Sequence, residues 1–111
     1  GSDGPAYWPL DSLRDLGTAV SRQTWTGKTI GIDQAITVND AIRMITINAA
    51  YNAFEEKIKG SIEIGKIADF AILAKNPHEV EPTKIKDIPV DMTVVDGQLV
   101  YFREGADGLG V

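Results

Sequence analysis

The apolar positions near the start of the chain recur at helical spacing. Steps of three and four residues place one stripe of side chains along a short amphipathic helix. Its members are Leu10, Leu13, Leu16 and Val20. Pro9 suits the first turn of such a helix, whereas Gly17 lowers its intrinsic propensity. The pattern therefore predicts a first helix that ends near Arg22.

A second and longer helix is predicted over residues 38–54. Thr37 is suited to cap its first turn, and Asp40 stands three residues later, where a carboxylate completes a short form of the capping box. The apolar positions that follow at helical spacing are Val38, Ala41, Ile42, Ile45 and Ala49. Residues 23–36, which precede this helix, are rich in Thr and Gly and are predicted to form a loop.

From Gly60 onward the pattern changes to short runs rich in Ile and Val, separated by Gly and Pro. Such runs are typical of strands. We predict four of them, at residues 61–64, 68–73, 90–95 and 98–102. Asp96 and Gly97 separate the last two, and this pair accepts the positive φ angles of a type I′ turn. The sequence therefore predicts a β-hairpin at its C-terminal end.

Helices followed by strands indicate an α+β fold, with two or three helices and then a small, mostly antiparallel β-sheet. So small a sheet leaves strand edges unpaired and apolar surface uncovered, and both features promote association with another chain. The apolar residues concerned include Ile42, Ile45, Phe70 and Ile72. We therefore expect the isolated chain to self-associate.

Composition and charge exclude some functions. The 43% hydrophobic and 24% charged fractions are those of an ordinary soluble domain, and 11 basic against 16 acidic residues give a net charge of −5. Without a basic cluster, we expect neither nucleic acid nor a membrane surface as partner.

The absence of cysteine excludes disulfides but leaves the cellular compartment open; we favour the cytoplasm. No apolar run approaches the roughly 18 residues that a membrane span needs.

Several short segments stand in a characteristic order along the chain. They are residues 1–5, 19–22, 41–43, 46–50 and 59–70, then Val90, and finally residues 93–97 and 100–101. The run KGSIEIGKIADF at residues 59–70 is the most specific of them. In order and spacing, these segments resemble the C-terminal stretch of amidohydrolase-superfamily enzymes, in the branch named amidohydrolase 3.

The resemblance implies a larger parent enzyme, which combines a (β/α)8 barrel with a β-sandwich built from both chain ends. On this interpretation residues 1–58 hold the last barrel loop and the C-terminal helices. Residues 59–103 form the C-terminal half of the composite sandwich, and residues 104–111 form a flexible tail. The run at residues 59–70 is then structural rather than catalytic, because its glycines allow tight turns around short strands.

Asp3 is the candidate catalytic and metal-binding residue. The resemblance matches Ser2-Asp3-Gly4-Pro5 to the aspartate that ends the eighth barrel strand of the family. That aspartate binds a divalent metal such as zinc, or takes a proton from the attacking water. A carboxylate beside a divalent ion can do both. The alternative, based on spacing alone, is that Asp3 only begins a turn.

The other ligands that the family uses are absent from this chain. The family places a His-x-His pair on the first barrel strand and further histidines on later strands, whereas this chain has one histidine, His78. We interpret His78 as a surface residue. A zinc site needs about three protein ligands, so we expect the fragment to be inactive and without bound metal. The parent would hydrolyse non-peptide C–N bonds in a small amide or cyclic amide; the alternative is a non-enzymatic binding or regulatory module.

Overall fold

The computed structural model of the protein describes residues 11–106. These residues form two compact units. One comprises residues 11–45 together with Pro77–Ile88, and the other comprises Thr46–Asn76 together with residues 89–106. The units are not the domains predicted from the resemblance, whose boundaries after residues 58 and 103 stay predictions. No helix within residues 11–106 is long and apolar enough to cross a membrane.

The first predicted helix is present as α1, Ser12–Ser21. Asp11 caps it, and its Oδ1 atom accepts the backbone N–H groups of Leu13 and Arg14 at 3.1 and 3.3 Å. The helix ends at Arg22, which has a φ of 56° and donates its N–H to the carbonyl of Thr18. Leu16, one of the predicted apolar positions, is 2% exposed and belongs to the core.

Gly17 has a packing role that the sequence did not reveal. It faces a 3₁₀ helix, Pro82–Asp87, which follows Glu81 and was not predicted. A Cβ atom at Gly17 would lie 3.3 Å from the backbone nitrogen of Lys86 and 3.6 Å from the Cβ of Ile85. Ile85 is fully buried. The glycine that weakens the helix in isolation therefore allows the two helices to approach closely.

The second predicted helix is present but divided. α2 spans Val38–Ile45, and α3 spans Ile47–Asn52. The predicted cap is confirmed, because Thr37 Oγ1 accepts the N–H of Asp40 at 3.1 Å and donates to its carboxylate at 2.7 Å. The prediction of one continuous helix over residues 38–54 is wrong. Thr46 has φ −119° and ψ −96°, outside the helical region, within a run of three β-branched residues that disfavours helix.

The sheet has three antiparallel strands in the order β1-β2-β3. β1 is Phe70–Leu73, β2 is Val90–Val95 and β3 is Gln98–Phe102. The predicted hairpin is confirmed, since Val95 pairs with Gln98 across a turn in which Asp96 and Gly97 have φ angles of 51° and 73°. The predicted α+β class is thus present in the described residues.

The predicted strand at residues 61–64 is wrong. The segment forms turns, and Ile62 and Ile64 are 87% and 108% exposed. Lys66 donates its N–H to the carbonyl of Glu63 at 3.1 Å, and Gly65 between them has a φ of 93°. This hydrogen bond between residues three positions apart closes a turn, so the segment lacks the extended backbone that a strand needs. The next predicted strand, at residues 68–73, begins two residues late, at Phe70.

Candidate functional site

Asp3, the candidate catalytic and metal-binding residue, lies outside the described residues. Its role therefore stays a prediction. Between residues 11 and 106, no group of three or more His, Cys, Asp or Glu side chains is placed to hold a metal ion. The part of the chain that the structure describes therefore contains no complete metal site of its own.

The hydrogen-bond partner of His78 accounts for the position of its side chain without a metal ion. Its Nε2 atom lies 2.8 Å from the Oδ1 atom of Asn39, within the same compact unit, and the residue is exposed. An imidazole at this distance from an amide oxygen serves as a hydrogen-bond donor. The geometry agrees with the interpretation of His78 as a surface residue.

The titratable side chains of the run at residues 59–70 form a local network. Ser61 donates its hydroxyl hydrogen to the carboxylate of Glu63. Lys66 Nζ donates to the Ser61 Oγ atom at 2.6 Å and lies 3.0 Å from the same Glu63 carboxylate. The Lys66 side chain is only 13% exposed. The hydrogen bond from Ser61, followed by the hydrogen bond and charge of Lys66, lowers the pKa of Glu63.

This network does not have the properties of a catalytic dyad. An activated serine needs an adjacent base that can take its proton. Here the serine proton is directed to a carboxylate whose pKa is lowered, and the lysine is ion-paired with that carboxylate. A carboxylate of low pKa is a weak base at neutral pH. The three side chains instead hold the turn at residues 61–66 in one conformation.

The Glu63 network should make stability depend on pH in one direction. Its pKa is lower in the folded chain than its ordinary value of 4.5, so the stabilisation is present above that value and is lost as the pH falls below it. We expect Glu63→Gln to lower the melting temperature at pH 7 but to match the unsubstituted chain in acid. Thermal unfolding followed by circular dichroism at several pH values measures this.

The exposed pair Glu81–Lys84 provides the control, because its atoms are 3.9 Å apart and both side chains are about 70% exposed. Such pairs contribute little to stability. Glu81→Gln should therefore leave the melting temperature nearly unchanged at every pH. A Glu63→Gln effect that persists unchanged in acid would contradict the role of the charge.

The end of the same run supports the β2–β3 turn. Asp69 Oδ1 accepts the backbone N–H of Asp96 at 2.8 Å, and the carbonyl of Ala68 accepts the N–H of Gly97 at 3.0 Å. Two otherwise unpaired turn donors are thereby satisfied. The most specific motif of the sequence is thus structural in its described contacts, as we expected of it.

One partly buried ion pair was not predicted from the sequence. Asp91 is 7% exposed, and its Oδ1 atom accepts from the Nε and Nη2 atoms of Arg103 at 2.7 and 2.6 Å. The two residues lie 12 positions apart, and only the register of β2 against β3 brings them together. The pair joins the start of β2 to the residue that follows β3.

Comparison with known sequences identifies the class of protein. The sequence model of the Amidohydrolase family matches residues 1–101. The chain therefore belongs to the amidohydrolase family, in the branch that its motifs indicated.

Two curated relatives resemble it along nearly its whole length. An N-substituted formamide deformylase of Arthrobacter pascens is 38% identical over 107 residues, which is 95% of this chain and 19% of that protein. The putative amidohydrolase YtcJ of Bacillus subtilis (strain 168) is 32% identical over 106 residues, which is 93% of this chain and 20% of that protein. The chain thus spans about a fifth of the length of these relatives.

A solved structure shares the fold. An amidohydrolase from Thermotoga maritima MSB8 superposes with a TM-score of 0.60 at 23% identity. The match covers 83% of this chain and 19% of that protein. The sequence and structure comparisons therefore agree that this chain matches about a fifth of the length of such proteins.

Proposed function

We propose that this chain is the C-terminal part of a metal-dependent hydrolase that acts on amide or cyclic amide C–N bonds other than peptides. The match of residues 1–101 to the amidohydrolase family is the observation that carries the proposal. The named activity of the Arthrobacter pascens relative, deformylation of N-substituted formamides, supports an amide as the substrate class. The chain alone would not be catalytic, since it matches about a fifth of that relative.

A complete metal site would have to draw on residues beyond this chain. The described residues do not fit a divalent ion, because no three ligating side chains converge among them. In the proposed parent enzyme, the ion would supply an activated water, and the histidines that the resemblance implies would hold it. Asp3 is the one side chain of this chain to which we assign a direct role, as ligand or proton acceptor.

The coding sequence upstream of Gly1 tests the proposal. An amidohydrolase of this kind requires a His-x-His pair and later histidines. The chain itself has one histidine, which is hydrogen-bonded to Asn39, so the others would have to be encoded upstream. We expect the upstream sequence to contain the His-x-His pair near its start. We expect the later histidines within a pattern of alternating strands and helices that is typical of a barrel. An upstream region without them would favour the binding or regulatory module instead.

The sheet supports our proposal that the isolated chain self-associates. Both outer strands, β1 and β3, have a free edge within the described residues. β3 also exposes apolar side chains on both faces, since Leu99, Val100 and Tyr101 are 46%, 60% and 48% exposed. Free edges and uncovered apolar faces recruit another chain. The parent enzyme would cover this surface with its own strands.

We therefore expect the isolated chain to form dimers or larger species at micromolar concentration. Light scattering over a series of concentrations gives the mass. Val100→Lys, which places a charge on the exposed face of the edge strand, should shift the mass towards the monomer. A strictly monomeric mass up to high micromolar concentration would show that the chain is self-sufficient.

A further inference from the structure

The turn between β2 and β3 contains a dipeptide that can rearrange covalently. Three Asp–Gly pairs occur in the sequence, and only Asp96–Gly97 lies within residues 11–106. In such a pair the backbone nitrogen of the glycine can attack the side-chain carboxyl carbon of the aspartate. Glycine favours this attack because it has no Cβ atom to obstruct the approach. Among the described aspartates, Asp96 therefore has the sequence context that favours isoaspartate formation.

The turn leaves this pair accessible to water. Asp96 and Gly97 are both exposed, and their φ angles of 51° and 73° belong to a tight turn. A Cβ atom built at Gly97 would have no neighbour within 4 Å among the described residues. Packing within this part of the chain therefore neither shields the dipeptide nor obstructs the rotation that ring formation requires.

Two hydrogen bonds oppose the rearrangement. The N–H of Gly97 donates to the carbonyl of Ala68 at 3.0 Å, and the N–H of Asp96 donates to Asp69 Oδ1 at 2.8 Å. Ring closure requires the peptide group between Asp96 and Gly97 to rotate towards the aspartate side chain, and the Gly97 nitrogen to lose its proton. Both steps break the bond to Ala68. The reaction therefore proceeds from a locally open turn, whose population these two hydrogen bonds control.

We propose that Asp96 is a site of spontaneous isoaspartate formation, and that the hydrogen bonds from the turn to residues 68–69 set its rate. The Gly97 nitrogen bonds to Cγ of Asp96, and the carboxyl hydroxyl leaves with the nitrogen's proton as water. The resulting five-membered imide takes up one water. Cleavage between the Gly97 nitrogen and the main-chain carbonyl carbon of Asp96 then gives isoaspartate with unchanged mass. The reaction needs only water, so it is independent of the proposed hydrolase activity.

Isoaspartate at this position alters the hairpin, because it adds one methylene group to the main chain within the turn. The pairing of Val95 with Gln98 and the two hydrogen bonds to residues 68–69 depend on the normal spacing of the turn. Conversion therefore weakens the contact between the β2–β3 turn and the run at residues 59–70. The same two hydrogen bonds that slow the reaction are thus lost once it has occurred.

Peptide mapping tests the proposal, because trypsin releases residues 87–103, which contain Asp87, Asp91 and Asp96. The 111-residue chain is incubated at neutral pH with and without guanidinium chloride, and mass spectrometry with electron-transfer fragmentation locates isoaspartate. We expect conversion at Asp96, slower by about tenfold or more in the folded chain, since two hydrogen bonds must open. Asp87 and Asp91 precede bulky residues and should not convert. Equal Asp96 rates with and without denaturant, or conversion only in denaturant, overturn the proposal.

Asp69→Ala and Asp69→Asn form a matched pair of variants. Alanine removes the acceptor for the Asp96 N–H, whereas asparagine retains a carbonyl oxygen in its place. In the folded chain Asp69→Ala should speed conversion about fivefold, as expected for the loss of one hydrogen bond, and Asp69→Asn should change it little. Equal rates for the two folded variants overturn the proposal. The complete gene product is treated in the same way, and its rates decide the outcome if circular dichroism shows the isolated chain to be unfolded.

Discussion

Replacement of Asp3 by asparagine in the parent enzyme is expected to lower kcat/KM for an amide substrate by about a thousandfold. A carboxylate that takes a proton in the transition state contributes on the order of 10²–10⁴ in rate. Asparagine keeps the size of the side chain but removes both its charge and its basicity. Steady-state kinetics with a purified, metal-loaded parent enzyme measures the loss.

Asp33→Asn is the matched control for this substitution. Asp33 is an exposed carboxylate in a 3₁₀ helix, Ile32–Gln34, and accepts a hydrogen bond from the neighbouring Gln34 at 3.0 Å. Its loss should change kcat/KM less than about twofold, as is usual for surface positions. Equal rates for the Asp3→Asn variant and the unsubstituted enzyme would show that Asp3 only begins a turn.

Gly60→Ala is expected to destabilise the chain by about 3 kcal/mol or more, through strain and overpacking. Gly60 has a φ of 97°, and an added Cβ would lie 2.7 Å from the Cβ of Ala50 and 3.0 Å from the Cα of Ile47. Both neighbours belong to α3, so the helix would have to move. Denaturant unfolding followed by circular dichroism gives the change in free energy.

Gly65→Ala isolates the backbone part of this effect, and the difference between the two substitutions gives the steric part. Gly65 has a φ of 93°, nearly that of Gly60, but an added Cβ would have nothing within 4 Å. It should therefore show only the cost of the backbone conformation, about 1 kcal/mol. Equal losses for the two substitutions would mean that close packing of Gly60 against α3 contributes nothing.

The parts of the fold that were predicted from sequence are those with local causes. The Thr37–Asp40 cap and the Asp96–Gly97 turn each depend on residues within one turn of chain, so their side chains are sufficient to specify them. The break at Thr46 was missed because the apolar spacing continues across it. Local apolar spacing does not show where backbone torsion leaves the helical region.

Other features depend on contacts that apolar spacing does not specify. The segment at residues 61–64 has the composition of a strand, yet the local Ser61–Glu63–Lys66 network holds it as turns. The packing of Gly17 against Lys86 and the Asp91–Arg103 pair depend on chain positions that only folding brings together. Periodicity contains no information on such pairings.

The candidate site was predicted in a different way. Asp3 was selected through the resemblance of Ser2-Asp3-Gly4-Pro5 to a family motif, because one carboxylate near a turn specifies no chemistry by itself. His78 could be set aside from the sequence alone, since no second histidine accompanies it. The remaining ligands could not be located in this chain, because in the barrel that the resemblance implies they would come from strands upstream of it.

Hydrolysis of a panel of small amides and cyclic amides, measured on two proteins, tests most directly whether this chain is the C-terminal part of an amidohydrolase. One protein is the 111-residue chain, and the other is the complete product of the gene that encodes it. Both are assayed with added zinc by following release of the amine and carboxylate products. We expect turnover by the complete product and none by the chain alone. Turnover by the isolated chain, or an inactive complete product that lacks the family's histidines, would contradict this assignment.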